Sequence, residues 1–181
     1  MFLSTDNTNY DSLFQGDIIN DIHILGAINL NSIQYSAVYN QTENYQSWHV
    51  LSEPKFGHVM VLSHSCEVSL ENDIKVTSII LAPLRDVNQA TDPRKIKELI
   101  QSNLIDKANP KASYLKYFYI EPHSDLPFTS GSVVDFSKCF SVRRQSYEYL
   151  RKNKVLQIKD TTRNSLSLKL ALYFHRLEKV A

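Results

Sequence analysis

His64, Cys66 and Glu67 stand within four residues at the end of an apolar run, in the segment GHVMVLSHSCEV at 57–68. Side chains two apart on an extended strand share a face, so His64 and Cys66 form a candidate activated thiol. The same residues also have a structural use. A thiol is a small, often buried hydrophobe, an imidazole can bond backbone, and Glu67 can accept backbone hydrogen bonds in a following turn. On a regular strand Glu67 would face away from Cys66. His58 lies earlier on this run, and Arg85 closes a second one, IILAPLR at 79–85. A guanidinium neutralises phosphate and an imidazole moves protons, so Arg85 with His58 or His64 is a candidate set for cleaving a phosphodiester. Zinc held by Cys66, His64, Cys139, His58 and His123 is a further arrangement, but no CxxC or HxxxH spacing supports it. The four glycines, at 16, 26, 57 and 131, form no GxGxxG pattern and no phosphate-cradling loop. The reading therefore takes no metal and no cofactor.

A second chemistry is carried by cations. Lys138, Arg143, Arg144, Arg151, Lys152 and Lys154 crowd residues 138–154, with Tyr147 and Tyr149 among them. Cations interleaved with aromatics can hold single-stranded RNA or DNA by neutralising phosphates and stacking bases. The alternative is a solvated connector whose tyrosines enter the core. Residues 1–90 hold 3 Lys/Arg against 10 Asp/Glu, and residues 91–181 hold 17 against 9. Such asymmetry points to a polyanionic partner, or to attraction between the two halves of one fold. Asp135 lies in an otherwise apolar stretch and needs a partner, for which Arg143, Arg144 and Arg85 are candidates.

The elements that must position these residues follow from periodicity. Strands are expected over 16–25, over 33–39 with alternating Ile33, Tyr35, Ala37 and Tyr39, and centrally over 58–63, while 45–51 reads as a further strand or a covering loop. A further strand over 75–84 should end at Pro83, which has no N–H for a ladder. Asp92–Pro93 reads as an N-cap followed by a proline at the first helical position. The helix then runs to about residue 106 with Ile96, Leu99, Ile100 and Leu104 on one face. Strands over 114–120 and 132–142 and a helical turn over Tyr147–Lys152 follow. Asp160 should cap a final helix in which Leu166, Leu170, Phe174 and Leu177 form a stripe. Leu168 and Leu172 widen it, so the stripe is expected to be buried. Strands first, with helices inserted and appended, give an α+β class. One domain is expected, with residues 1–12 disordered, a barrel core over 13–90, and a helix, additional strands and the C-terminal helix over 91–181.

The order GDII at 16–19, VMVLS at 59–63 and IILAPL at 79–84 resembles the PemK/MazF-like toxins, whose consecutive core strands carry GDI, vvVlS and viaPi. More closely, the chain resembles an uncharacterised bacterial family with a PemK-like barrel and a vlTqSCDl-type segment. VLSHSCEV at 61–68, VDFSKCFSV at 134–142 and LSLKLALYFHR at 166–176 carry that likeness. The resemblance implies a small curved β-barrel and a toxin–antitoxin or phage-defence setting. The toxins place an Arg-Pro pair before vvVlS and a Thr or Ser after the aPi strand. Here Gly57–His58 and Arg85 stand in those places, so the toxins' catalytic pair is absent.

No apolar run nears the ~20 residues of a membrane-spanning helix. The N-terminus lacks the basic start and apolar core of a secretory signal, so a cytoplasmic address is expected. In such a compartment Cys66 and Cys139 are expected to be unbridged. The favoured reading is a nucleic-acid-binding module using residues 138–154 and Arg85, with a protein partner or a homodimer as further options. The alternatives are a divergent metal-independent endoribonuclease and a protein-interaction or thiol-sensing module centred on Cys66.

Overall fold

A computed structural model describes residues 1–24, 35–40, 45–50, 55–69, 77–103 and 115–174. The class is mixed α+β. Among the described residues the strands are β1 (Ile18–Ile24), β2 (Tyr35–Asn40), β3 (Tyr45–Val50), β4 (Lys55–Val61), β5 (Ser78–Asp86), β6 (Tyr117–Ile120), β7 (Ser132–Asp135), β8 (Phe140–Arg143) and β9 (Lys154–Leu156). The helices are α1 (Ser65–Val68), α2 (Pro93–Ile100), α3 (Tyr147–Lys152) and α4 (Asp160–Phe174). Among the described residues β2 and β3 pair only with each other. The other seven strands form one antiparallel sheet, ordered β6-β7-β5-β4-β1-β9, with β8 paired to β5 beside β7. That path does not return on itself, so the sheet is open.

β5 organises this sheet. One edge pairs with β4, through Val59–Pro83, Met60–Ala82 and Val61–Leu81. The other edge pairs with β8 over residues 78–81 and with β7 over residues 84–86. Pro83 was expected to end the strand and does not. It falls where β5 exchanges one neighbour for the other, so no ladder bond is demanded of its missing N–H.

Alternation along the strands sends apolar residues to two opposite cores. Ile18, Met60, Ala82, Leu84, Val134 and Leu156 pack with Leu166 and Leu170 of α4 on one face. Ile19, Val59, Val61, Ile79 and Leu81 pack with Tyr147 and Leu150 of α3 on the other. A third, small cluster joins Val133 to Val87 and to Leu99 of α2. A sheet covered on both faces explains the continuous apolar run VMVL, which simple alternation does not produce; in IILA, Ile79, Leu81 and Ala82 are buried and Ile80 is exposed.

Several elements differ from their sequence pattern. The stretch 132–142 is two strands, because Asp135 accepts hydrogen bonds from Ser137 N at 3.0 Å and Ser137 Oγ at 2.6 Å and caps a 3-10 turn at Phe136–Lys138. The 93–106 helix stops at Ile100 and passes into a 3-10 turn, Gln101–Asn103; Leu104 lies outside the described residues. In α4, Leu166 and Leu170 are buried, but Leu168, Leu172 and Phe174 are exposed; Leu177 lies outside the described residues. Residues 1–12, expected to be disordered, run beside β9. Phe2 bridges Ile158, and Asn9 N donates to Gln157 Oε1 at 2.9 Å. Gly16 has φ +87°, and a Cβ there would overlap the Ile158 side chain, so the turn into β1 requires glycine.

Candidate functional site

β4 ends at Val61, two residues before the expected limit, and the chain turns into α1. His64 and Cys66 therefore do not meet as strand neighbours. His64 is the N-cap of α1. Its Nδ1 accepts from Cys66 N at 3.4 Å and lies 2.8 Å from Cys66 Sγ. Glu67 completes a capping box by accepting from His64 N at 3.2 Å. Flanking segments fix this turn. Ser65 Oγ accepts from Gln15 N at 3.1 Å, and the Arg144 guanidinium donates to the carbonyls of Glu67 at 2.8 Å and Ser69 at 2.7 Å. His64 and Cys66 are both exposed.

A second constellation centres on Asp135, which is buried with its side chain 2% exposed. Its Oδ2 lies 3.9 Å from Arg85 Nη1 and 3.5 Å from Lys116 Nζ, whose side chains are 51% and 36% exposed. Register explains the meeting: Arg85 pairs with Val133, and Asp135 pairs with Tyr117, beside Lys116. Burial presses on Lys116 most strongly and downward, but Asp135 and Tyr117 outweigh it and raise its pKa. Lys116 was missed in the sequence, where Arg85 was named as a partner for Asp135. Lys138, exposed, ends the turn that Asp135 caps. α2 packs Leu99 against Val133 on this side and carries exposed Arg94, Lys95 and Lys97.

The basic segment divides. Lys138, Arg143 and Lys152 are exposed. Arg144 is committed to α1. Arg151 donates to Glu148 at 2.9 Å and lies 3.9 Å from Asp11. Tyr147, expected as a stacking residue, is buried and its hydroxyl accepts from Leu13 N at 3.1 Å. Lys154, expected to touch phosphate, is wholly buried and pairs with Asp17 at 2.7 Å. Attraction between the acidic and basic halves thus accounts for part of the charge pattern. The residue that signalled this was Asp17, inside the GDII motif.

His58 does not join Arg85. It precedes Val59 on β4, and alternation directs it to the face of Met60 and Leu84, whereas Arg85 points to the opposite face. Its ring lies 5.7 Å from that of Phe128, and burial lowers its pKa against the pull of Asp21. β4 and β8 both run antiparallel to β5, so they run in the same direction. Val61 at the end of β4 and Phe140 at the start of β8 both pair with Leu81, on the two edges of β5, so β5 lies between the strand that leads to Cys66 and the strand that Cys139 precedes. Neither is in a disulfide. His123 sits against Phe2 and Asp125. Among the described residues no group of three or more His, Cys, Asp or Glu is placed to hold a metal ion, and no helix is long and apolar enough to cross a membrane.

No protein-family model matches the chain, and no curated protein matches it.

Proposed function

We propose that the protein is a binding module for single-stranded nucleic acid, RNA foremost, that grips the phosphate backbone through Arg85 and Lys116. One observation carries the reading: a single buried carboxylate, Asp135, holds two cations at the surface. One negative charge cannot neutralise both, so the pair keeps a positive excess in a fixed position. Lys138 and the cations of α2 extend it on the same side. Phosphate neutralisation by such groups releases counterions and binds without sequence preference. Lys116 also lies 5.2 Å from the Tyr117 ring, which brings an aromatic to the same place.

The likeness of GDII, VMVLS and IILAPL to PemK/MazF toxins extends this reading to an opened relative of their barrel, in a toxin–antitoxin or phage-defence setting. Binding without cleavage is the form proposed, because Arg85 and His58 lie on opposite faces of the sheet. The test is filter retention of a labelled single-stranded RNA over a range of salt. Retention that falls steeply with salt and is weakened in Arg85→Ala supports the reading. No retention, or retention indifferent to salt, overturns it.

A further inference from the structure

The thiol–imidazole contact at α1 belongs to neither the core nor the cation cluster. Four constraints hold it: the His64 cap, the Glu67 capping box, the Gln15–Ser65 bond and the two Arg144 bonds to the carbonyls of Glu67 and Ser69. Both reactive side chains nevertheless remain open to solvent. Burial of a cysteine beside a backbone-bonded histidine would need none of this arrangement. Cys139 is exposed as well, but it precedes β8, on the edge of β5 opposite to the β4 strand that leads to Cys66. A sulfur bound to Cys66 must therefore come from outside the chain.

We propose that Cys66 is a reversible S-thiolation site that exchanges with a low-molecular-weight disulfide, with His64 as its base. As the Cys66 sulfur attacks one sulfur of the disulfide RSSR, the thiol proton passes to His64 Nδ1. The S–S bond of RSSR breaks, a Cys66–S–S–R bond forms, and RS⁻ leaves and takes the proton back from His64. Cys66 is oxidised and one RSH is released, so the disulfide is the only oxidant. Excess RSH drives the same steps in reverse. The two Arg144 bonds tie this turn to the residue that follows β8.

The experiment exposes the full chain to oxidised glutathione, quenches by alkylation and reads each cysteine by peptide mass spectrometry. Cys139 serves as the internal reference for an exposed thiol. Cys66 is expected to gain glutathione at least tenfold faster than Cys139 at pH 7. That advantage should shrink as the pH passes the ordinary thiol range near ~8.5, where a base is no longer needed. In His64→Gln the Cys66 rate should fall to that of Cys139 at pH 7. Equal rates at the two cysteines in the unaltered protein, or rates that rise in parallel from pH 6 to 9, overturn the proposal. That comparison decides the matter even if His64→Gln disturbs α1.

Discussion

Lys154 and Asp17 form an ion pair at 2.7 Å with both side chains wholly buried. Lys154 Nζ also donates to the carbonyls of Asn9 at 2.6 Å and Ser12 at 3.0 Å, and it lies 3.3 Å from Gln157 Oε1. Asp17 Oδ2 accepts from Phe14 N at 2.7 Å, while Oδ1 has no hydrogen-bond partner among the described residues. The pair ties the turn before β1 to β9 and so closes one edge of the sheet against the N-terminal segment.

Breaking this pair from the lysine side should be costly. Lys154→Met leaves a buried carboxylate with no cation, a change that typically costs about 3–5 kcal/mol. Burial already pushes Asp17 up to about 6, although Lys154 opposes it. Its folded pKa thus exceeds the unfolded value. The stabilisation linked to its proton is complete below about 4 and is lost as pH rises through about 6. Removing Lys154 raises Asp17 further, so the deficit of Lys154→Met should be largest at pH 8 and shrink at pH 4.5. Urea unfolding of both proteins at the two pH values measures it. In Lys154→Met with Asp17→Leu most of the loss should return, because no charge remains buried.

The two leucine classes of α4 give a sharper contrast. Leu166 is 0% exposed in the main core, and Leu168 is 46% exposed. Leu166→Ala should cost about 2–5 kcal/mol by cavity formation. Leu168→Ala should stay within about 0.5 kcal/mol. Denaturant midpoints at matched slopes check both.

That contrast also marks what was legible in the chain. Periodicity placed the strands around Ile18, Val59 and Ile79 because each is held on both sides by other strands. It also placed α2, because Asp92 and Pro93 are local signals that do not depend on packing. It overreached in α4, where leucines two apart were read as one broad stripe, whereas Leu168 and Leu172 are exposed and Lys169 is buried alongside Leu166 and Leu170. It joined β7 to β8 because V-V-D-F-S-K-C-F-S-V keeps a two-residue period through the 3-10 turn. The Asp135-x-Ser137 pattern was the missed sign of that turn. At the surface, composition named Arg85 and Asp135. It could not separate Lys138, which is exposed, from Lys154, which is buried, since both are cations in one segment. Only the register of β5, β6 and β7 brings Lys116 to Asp135.

Lys169 carries a pH dependence of the opposite kind. It is 1% exposed, its Nζ donates to the Ser102 carbonyl, and it lies 6.0 Å from the Phe118 ring. Burial lowers its pKa from 10.5 to about 7. Between those values the unfolded chain holds a proton that the native state has lost, so stability should rise with pH from about 7 to about 10. Lys169→Met removes the buried charge. It should be more stable than the parent at pH 6, on the order of 2 kcal/mol after loss of one hydrogen bond. The difference should narrow above pH 7 and reverse toward pH 10. Unfolding midpoints across pH 6–10 would show this, and a parent protein with no such rise would contradict it.

The cation pair on Asp135 makes a prediction about slopes rather than affinities. If Arg85 and Lys116 each neutralise one phosphate, removing either should cut the salt dependence of RNA retention by about 0.7 in log–log slope for a single strand. It should do so for every sequence alike, because neither reads a base. Arg85→Lys keeps the charge and should keep the slope. Arg151→Ala also deletes a cation, but one held by Glu148 and Asp11, and should leave the slope unchanged. Asp135→Asn distinguishes a gripping pair from a structural one. Losing the carboxylate frees both cations from their anchor and raises the local positive charge. Retention at low salt should therefore increase, while thermal stability falls as the buried anchor for Arg85 and Lys116 is lost. If the ion cluster only holds β5, β6 and β7 together, Asp135→Asn lowers stability and leaves retention where it was.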